Sequence, residues 1–195
     1  MKPFRIHTGK VAPLLRANVD TDQIIPKQFL KRIEKTGFGE FLFYDWRRRA
    51  DGQPDPAFPL NQPRYAGASI LVAGKNFGCG SSREHAVWAL ENYGFRAVIA
   101  PAFADIFANN CLQNGVLAAA LTEEQVAEIG HRAEQTPNYQ LTVDLEQCQI
   151  KDDQGFSASF AIDDSTRNRL LEGLDDIGLT LLHKADIAAY EVRHS

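Results

Sequence analysis

One segment of the sequence holds residue types that could bind an anion and move a proton. Residues 74–86 are Gly-Lys-Asn-Phe-Gly-Cys-Gly-Ser-Ser-Arg-Glu-His-Ala, between an apolar strand-like run and an apolar helix-like run. Ser81 and Glu84 have the spacing of a capping box, which predicts a helix that begins at Ser82 with Ser81 as its N-cap. Because a helix N-terminus carries unpaired amide groups and a partial positive charge, this corner is suited to hold an anion.

Arg83 would lie in the first turn of that helix, where a cation opposes the helix dipole unless an anion offsets it. Its planar guanidinium can form two parallel hydrogen bonds with a carboxylate, although a lone arginine is usually solvated. From spacing alone, Ser81 is most simply a helix cap, a role worth about 1 kcal/mol. Ser82 either offers its backbone N–H to the anion or only completes the turn. His85 has no partner at ligand spacing, so we expect a packed structural histidine.

The serine-rich segment also carries a family resemblance, which two further segments share. Residues 78–86 resemble the serine-loop signature of the aconitase superfamily. Residues 18–26, Asn-Val-Asp-Thr-Asp-Gln-Ile-Ile-Pro, and residues 104–115, Ala-Asp-Ile-Phe-Ala-Asn-Asn-Cys-Leu-Gln-Asn-Gly, resemble segments of the small-subunit family of bacterial 3-isopropylmalate dehydratases. The likeness runs from about Phe4 to the C-terminal helix, with the motifs in the same order.

The resemblance implies a role for several of these residues. In the family the first serine of the Ser-Ser-Arg triplet is the general base, which corresponds to Ser81. The arginine binds a substrate carboxylate, which corresponds to Arg83, with Ser82 as a further substrate-binding residue. Asp22 matches an acidic residue that supports the serine, so the resemblance adds it to the catalytic residues. From residue types alone, Asp20 to Asp22 would form a turn whose side chains bond nearby amides.

A second region bears on the choice of substrate. The segment from Lys27 to Arg32 matches the loop in which family members differ according to the side chain of their substrate. Phe29 and Leu30 could contact an isopropyl group, and they could equally belong to the hydrophobic core. The sequence leaves both interpretations open.

Bulk properties exclude several classes of protein. The chain has 195 residues, of which 44% are hydrophobic, so we expect one globular domain over residues 1–195. A net charge of −4 gives no electrostatic reason to expect nucleic acid. No run of 18 apolar residues predicts a membrane span, and the N-terminal residues lack the apolar region of a signal peptide. We therefore expect a cytoplasmic protein.

The three cysteines argue against a metal centre in this chain. Cys79, Cys111 and Cys148 are odd in number and far apart, which is typical of reduced thiols in a cytoplasmic protein. An iron–sulfur cluster needs several clustered thiolates, and no C-x-x-C occurs. Because aconitase-type chemistry depends on a [4Fe–4S] cluster, the resemblance implies a cluster on a large partner subunit and no metal ligands here.

The order of strand-like and helix-like segments predicts a mixed α/β domain. Strands at 69–74, 96–100 and 116–121 alternate with helices at 82–93 and 102–112, which indicates parallel pairing. Thr122 and Gln125 form a second capping box ahead of another helix. The remaining expected elements are one or two strands at 4–17, a short helix at 28–35, a strand at 139–145, a hairpin of 147–151 with 156–162, and helices at 165–174 and 181–193. The resemblance implies the compact β/β/α swivelling domain of aconitases.

Three functions fit these observations. The resemblance implies a hydro-lyase subunit that, with its large subunit, isomerises 2-isopropylmalate to 3-isopropylmalate by dehydration and rehydration in leucine biosynthesis. A related subunit that acts on citraconate or homoaconitate would keep every motif. A non-catalytic anion-binding module would keep the glycine corner but need no partner, so association with a large subunit separates it from the enzymes.

Overall fold

The architecture is built on one seven-stranded mixed sheet, seen in a computed structural model that describes residues 1–31 and 34–194. The strands are β1 (Ile6–Leu14), β2 (Ile70–Ala73), β3 (Ala97–Ala100), β4 (Leu117–Ala120), β5 (Gln140–Asp144), β6 (Gln149–Lys151) and β7 (Ser157–Ser159). Their order across the sheet is β4-β3-β2-β1-β5-β6-β7. The first strand of the chain therefore lies at the centre. It is one continuous strand, where the sequence allowed either one or two.

The helices flank this sheet. They are α1 (Thr21–Ile24), α2 (Tyr44–Arg47), α3 (Glu84–Tyr93), α4 (Asp105–Asn114), α5 (Glu123–Gln135), α6 (Asp164–Glu172), α7 (Asp176–Leu181) and α8 (Lys184–His194). β1 to β4 pair in parallel, with α3 between β2 and β3 and α4 between β3 and β4, as the alternation predicted. β5, β6 and β7 continue the sheet in antiparallel fashion from the other edge of β1.

Both faces of the parallel half are buried. All four residues of β2 and all four of β3 are buried, as is typical of strands covered on both sides. In β2, Leu71 and Ala73 belong to the core on the α3 side, whereas Ile70 and Val72 belong to the core on the α5 side. Side chains of a strand alternate between its faces, so β2 packs against the helices on both sides of the sheet.

The connection between β1 and β2 contributes much of the first core. Phe38, Leu42 and Phe43 are fully buried in it. Gly39 lies against the end of α3, where a Cβ would come within 2.7 Å of the Asn92 backbone. A larger residue at this position would push the aromatic segment off the helix. The expected helix at 28–35 is replaced by a short 3-10 turn, Lys27–Phe29, while Arg32 and Ile33 lie outside the described residues.

At the C-terminal end, the helices expected at 165–174 and 181–193 are present as α6 and α8, and the structure adds the short helix α7 between them. None of residues 175–194 is buried. Several large apolar side chains are exposed there, among them Ile177, Leu182 and Val192. Among the described residues, no helix is both long enough and apolar enough to cross a membrane.

Candidate functional site

The first two motif segments are tied together by backbone hydrogen bonds. The Gly78 N–H donates to the Val19 carbonyl at 2.8 Å, and the Thr21 N–H donates to the Cys79 carbonyl at 2.9 Å. The pairing makes an isolated parallel bridge between Asp20 and Cys79. Segments almost sixty residues apart in sequence thus form one small patch of sheet, just beyond the carboxyl ends of the central strands.

The third motif segment joins the same patch from the other side. The Phe77 N–H donates to the Ala102 carbonyl, and the Ala104 N–H donates to the Phe77 carbonyl, both at 3.1 Å. Gly78 has a φ of +77°, and a Cβ there would lie 2.1 Å from the Phe107 ring. Phe107 is itself buried at 2% exposure. Glycine is therefore required at position 78, both for the backbone conformation and for the contact with α4.

The three segments enclose a cavity of about 220 Å³. It is lined by Thr21, Gly78, Gly80, Ser81, Arg83, Ala104, Asp105, Ile106, Phe107 and Asn110. The N-terminal ends of α3 and α4 both border it, and neither helix has a side-chain cap. Ligand sites in parallel α/β sheets characteristically lie beyond the carboxyl ends of the strands, where helix N-termini point at them. The arrangement suits a small anion.

The predicted capping box at Ser81 does not form. α3 begins at Glu84, two residues later than expected, and Arg83 takes the N-cap position with an extended backbone. The Glu84 carboxylate instead accepts a hydrogen bond from the Asn114 side chain at 3.1 Å, which connects the start of α3 to the end of α4. Ser81 and Ser82 both lie on the exposed stretch before the helix. The Ser81 side chain is therefore free of the capping role that competed with catalysis.

Arg83 and Asp22 form an ion pair between Nη1 and Oδ1. The Arg83 side chain is 14% exposed and the Asp22 side chain 39% exposed. Neither atom has a further hydrogen-bond partner among the described residues. The prediction made Arg83 the second residue of the helix, whereas the structure places it two positions earlier in the helix numbering, as the N-cap residue, where it lines the cavity. Asp22, in the first turn of α1, holds its guanidinium there.

The segment around Asp20 is a short helix rather than the expected turn. Asp20 caps α1, because its side chain accepts the Gln23 N–H at 2.8 Å while the Gln23 side chain accepts the Asp20 N–H at 3.0 Å. This capping box, which was not predicted from the sequence, holds Thr21 and Asp22 in the first turn of α1. The box at Thr122 and Gln125 forms as predicted.

Phe29 and Leu30 lie apart from the cavity lining. Phe29 stacks on Phe41 with ring centroids 4.0 Å apart and meets Tyr44 edge-on at 4.9 Å. Both Phe29 and Leu30 pack, half-buried, against the α3-side core. The structure does not bring them together with Ser81 and Arg83, and their contact with a substrate side chain stays a prediction.

His85 packs among aromatic rings. Its ring centroid lies 4.5 Å from that of Trp88 and 5.4 Å from that of Phe38. Burial lowers the pKa of His85, and the nearby Arg83 charge acts in the same direction against the opposing effect of Glu84. A neutral, packed ring fits the structural role that was expected.

Sequence reasoning did not assign the part of the cavity that α4 supplies. Ile106 and Asn110 line it, and Ile106 is 53% exposed. Asn114, the last residue of α4, accepts the Trp88 indole N–H through its side-chain oxygen at 3.1 Å and donates to Glu84 through its side-chain NH2 group. The order of strands and helices could have predicted this contribution of α4, because the first turns of helices that follow neighbouring parallel strands meet at one edge of the sheet.

The cysteines stay separate. Cys79 is half-buried in the glycine segment, Cys148 packs against the α5-side core, and Cys111 is buried in α4. Burial raises the pKa of the Cys111 thiol above its ordinary value. Across residues 1–31 and 34–194, no group of three or more histidine, cysteine, aspartate or glutamate side chains is arranged to hold a metal ion.

Comparison with known proteins places these features in a family. A model of the aconitase C-terminal domain matches residues 1–124, and one described as LeuD_N matches 128–164. A model of the C-terminal domain of the 3-isopropylmalate dehydratase small subunit matches 176–195. The 3-isopropylmalate dehydratase small subunit of Koribacter versatilis is 65% identical over the full length of both chains. That of Brevibacillus brevis is 62% identical over 99% of this chain and 100% of its own.

A solved structure shows the same fold. The crystal structure of a 3-isopropylmalate dehydratase from Methanocaldococcus jannaschii superimposes with a TM-score of 0.69 at 25% identity. The match covers 95% of this chain and 99% of that one. The mixed α/β fold expected from the resemblance is thereby confirmed.

Proposed function

Since the chain belongs to the 3-isopropylmalate dehydratase small subunits of the aconitase type, we propose that its cavity forms the small-subunit half of a hydro-lyase active site. The reaction belongs to leucine biosynthesis. Water leaves 2-isopropylmalate to give an alkene diacid, and water adds back to give 3-isopropylmalate. No electrons are exchanged, so the protein needs a group that moves a proton, a group that assists loss of the hydroxyl, and cations that hold the carboxylates.

The observation that carries the proposal is the shared cavity of Ser81 and Arg83. We assign the proton transfer to Ser81, which takes a proton from carbon during dehydration and returns one during rehydration. A serine alkoxide is costly at neutral pH. The uncapped N-termini of α3 and α4 border the same space and would stabilise the developing negative charge.

Arg83 is assigned to a substrate carboxylate. Its guanidinium is mostly withdrawn from water, which strengthens its interaction with an anion. Asp22 supports catalysis indirectly, because its ion pair with Arg83 holds the guanidinium at the cavity that Ser81 also lines. Ser82 lies at the exposed end of the same segment, where its backbone N–H can join the carboxylate. Phe29 and Leu30 complete the proposed substrate contacts for a bound isopropyl group that extends beyond the cavity.

The remaining chemistry is assigned to a partner chain. The described residues do not offer the grouped thiolates that a [4Fe–4S] cluster needs, so such a cluster fits a large subunit and not this chain. When present, it would act as the Lewis acid that accepts the substrate hydroxyl. We also propose a cytoplasmic location, which agrees with three free cysteines kept reduced.

Reconstitution tests the proposal. The purified chain is mixed anaerobically with a large subunit of the same family, and association, iron content and turnover of 2-isopropylmalate, citraconate and homoaconitate are measured. We expect iron only in the large subunit and turnover only in the complex, with 2-isopropylmalate preferred. A cysteine-dependent cluster in the isolated chain, or a complex that ignores 2-isopropylmalate, would contradict the proposal.

A further inference from the structure

We propose that Thr21 is a positioning residue, whose buried hydroxyl fixes the backbone at Ser81 and so aims the serine side chain into the cavity. This inference rests on the proposed function, in which Ser81 transfers the proton. Thr21 borders the same cavity, and its residue surface is only 2% exposed. Burying a polar group costs free energy of folding unless the group is hydrogen-bonded. The partner of the Thr21 hydroxyl therefore indicates what the hydroxyl does.

The partner of the Thr21 hydroxyl is the backbone of the serine segment. Thr21 Oγ1 donates to the Ser81 carbonyl at 2.8 Å. The Thr21 backbone N–H donates to the Cys79 carbonyl at 2.9 Å. One residue thus holds two carbonyls of the neighbouring segment, and these carbonyls lie on either side of Gly80.

Without the hydrogen bonds from Thr21, the backbone of the serine segment could rotate at Gly80. Its φ of +93° lies in the region that favours glycine, and a Cβ there would lie 3.6 Å from Thr21 Oγ1. Glycine restricts its own dihedral angles little, so the orientation of Ser81 must be set by contacts outside the segment. With the hydroxyl removed, only the Cys79 side of Gly80 would still be held.

Thr21 is itself anchored well enough to serve this purpose. It is the first residue of α1, whose capping box joins Asp20 to Gln23. Its carbonyl accepts the Ile25 N–H at 3.0 Å, and Ile25 is fully buried. The position of the hydroxyl is therefore fixed by the core and not by the mobile end of a long side chain.

The same helix holds Arg83 by a separate contact. Asp22, the next residue, forms the ion pair with Arg83. Loss of the Thr21 hydroxyl should therefore disturb proton transfer by Ser81 while carboxylate binding by Arg83 persists. A displacement near 1 Å at a reacting group can cost about 10²-fold in rate. We expect kcat to fall while KM changes little.

The test compares Thr21→Val, which keeps the shape of the side chain and loses the hydroxyl, with Thr21→Ser, which keeps the hydroxyl. In the reconstituted complex we expect Thr21→Val to lower kcat by about 10- to 100-fold with KM within about 3-fold. Thr21→Ser should restore most of kcat. Thr142→Val is the matched control, because it also removes a hydrogen-bonded threonine hydroxyl, one that lies 2.8 Å from Thr8 Oγ1 on the sheet, outside the cavity lining. If Thr21→Val does not fold, Thr21→Ala takes its place with the same expectations.

A double-mutant cycle separates this inference from the proposed function. Ser81→Ala alone reports whether Ser81 carries turnover. If Thr21 acts through Ser81, removal of its hydroxyl in the Ser81→Ala background should cause no further loss of kcat. Additive losses, a Thr21→Val variant with wild-type kcat, or no rescue by Thr21→Ser would each overturn the inference, even where Ser81→Ala lowers turnover as the proposed function requires.

Discussion

Ser81 keeps its side chain out of the helix that follows it, because Arg83 occupies the N-cap position and Glu84 bonds to Asn114. In a capped arrangement the hydroxyl would have to release an amide in each turnover. Here the anchoring contact is made by the carbonyl of Ser81, through Thr21. Anchoring and the proposed proton transfer would therefore use different atoms of the same residue.

Because the Ser81 side chain does not cap a helix, Ser81→Ala tests its role in turnover without a loss of helix capping. We expect turnover of the complex to fall by about 10²- to 10⁴-fold, the usual effect of losing a general base. The free energy of unfolding should change by less than about 0.5 kcal/mol, because no cap is lost. Kinetics of the complex and urea unfolding of the chain measure the two effects. Ser159→Ala, at an exposed position of β7, is the control, and near-wild-type turnover of Ser81→Ala would contradict the assignment.

Arg83→Lys tests whether charge alone is enough. Lysine cannot form the two parallel hydrogen bonds that an arginine forms with a carboxylate, so we expect kcat/KM to fall roughly tenfold or more. Association with the large subunit should be unchanged. Steady-state kinetics with 2- and 3-isopropylmalate provide the measurement, with Arg49→Lys at an exposed position as control. Wild-type values with both substrates would place the carboxylate site elsewhere.

At the scale of elements, α5 and the β6–β7 hairpin are joined by the Asp152 carboxylate. Its side chain is fully buried and pairs with Arg132 at 3.0 Å. The Tyr139 hydroxyl donates to it at 2.8 Å, as do two backbone N–H groups of the hairpin turn. Burial alone would raise the pKa of Asp152, but these donors together with the Arg132 charge lower it below its ordinary value.

Asp152→Asn should therefore destabilise the chain in a pH-dependent way. We expect a loss of about 1–3 kcal/mol near neutral pH, because two of the donors that face the buried carboxylate would instead face an amide NH2 group that cannot accept a hydrogen bond. A carboxylate with a lowered folded-state pKa stabilises the fold above the unfolded pKa, about 3.9, and this contribution is lost as the pH falls through the folded value. Urea unfolding at several pH values should show the gap between wild type and variant shrinking in acid. Asp153→Asn, an exposed neighbour, should show no such gap.

The elements also show where local pattern suffices and where it fails. The apolar runs of β2 and β3 were recognisable because burial on both faces leaves no polar positions. The capping box at Thr122 formed because its partners lie within the same turn. Ser81 and Glu84 have the same spacing, but their capping box does not form. The Glu84 carboxylate instead accepts a hydrogen bond from Asn114, which lies thirty residues further along the chain. A pattern within a few neighbouring residues cannot predict a contact between residues so far apart in sequence.

At the scale of the whole molecule, the C-terminal helices stand outside both cores. They meet the rest of the chain through an exposed ion pair from Arg169 to Asp176 and a hydrogen bond from the Asp176 N–H to Gln113. Truncation after Leu174 should therefore shift the Tm by less than about 4 °C, since an ion pair with a solvent-exposed carboxylate contributes little to stability. Thermal unfolding of the truncated chain checks this. A much larger fall would show that α7 and α8 support the core after all.

The central position of β1 has a consequence for synthesis of the chain. β1 is synthesised before both of its partners, and it pairs with residue 70 on one side and with residue 144 on the other. Until β5 emerges, the backbone of Ile6 to Lys10 has an open edge that can pair with other nascent chains. β1 can pair along both of its edges only after residue 144 has been synthesised, so chaperones that shield nascent strands should bind this chain until β5 has emerged.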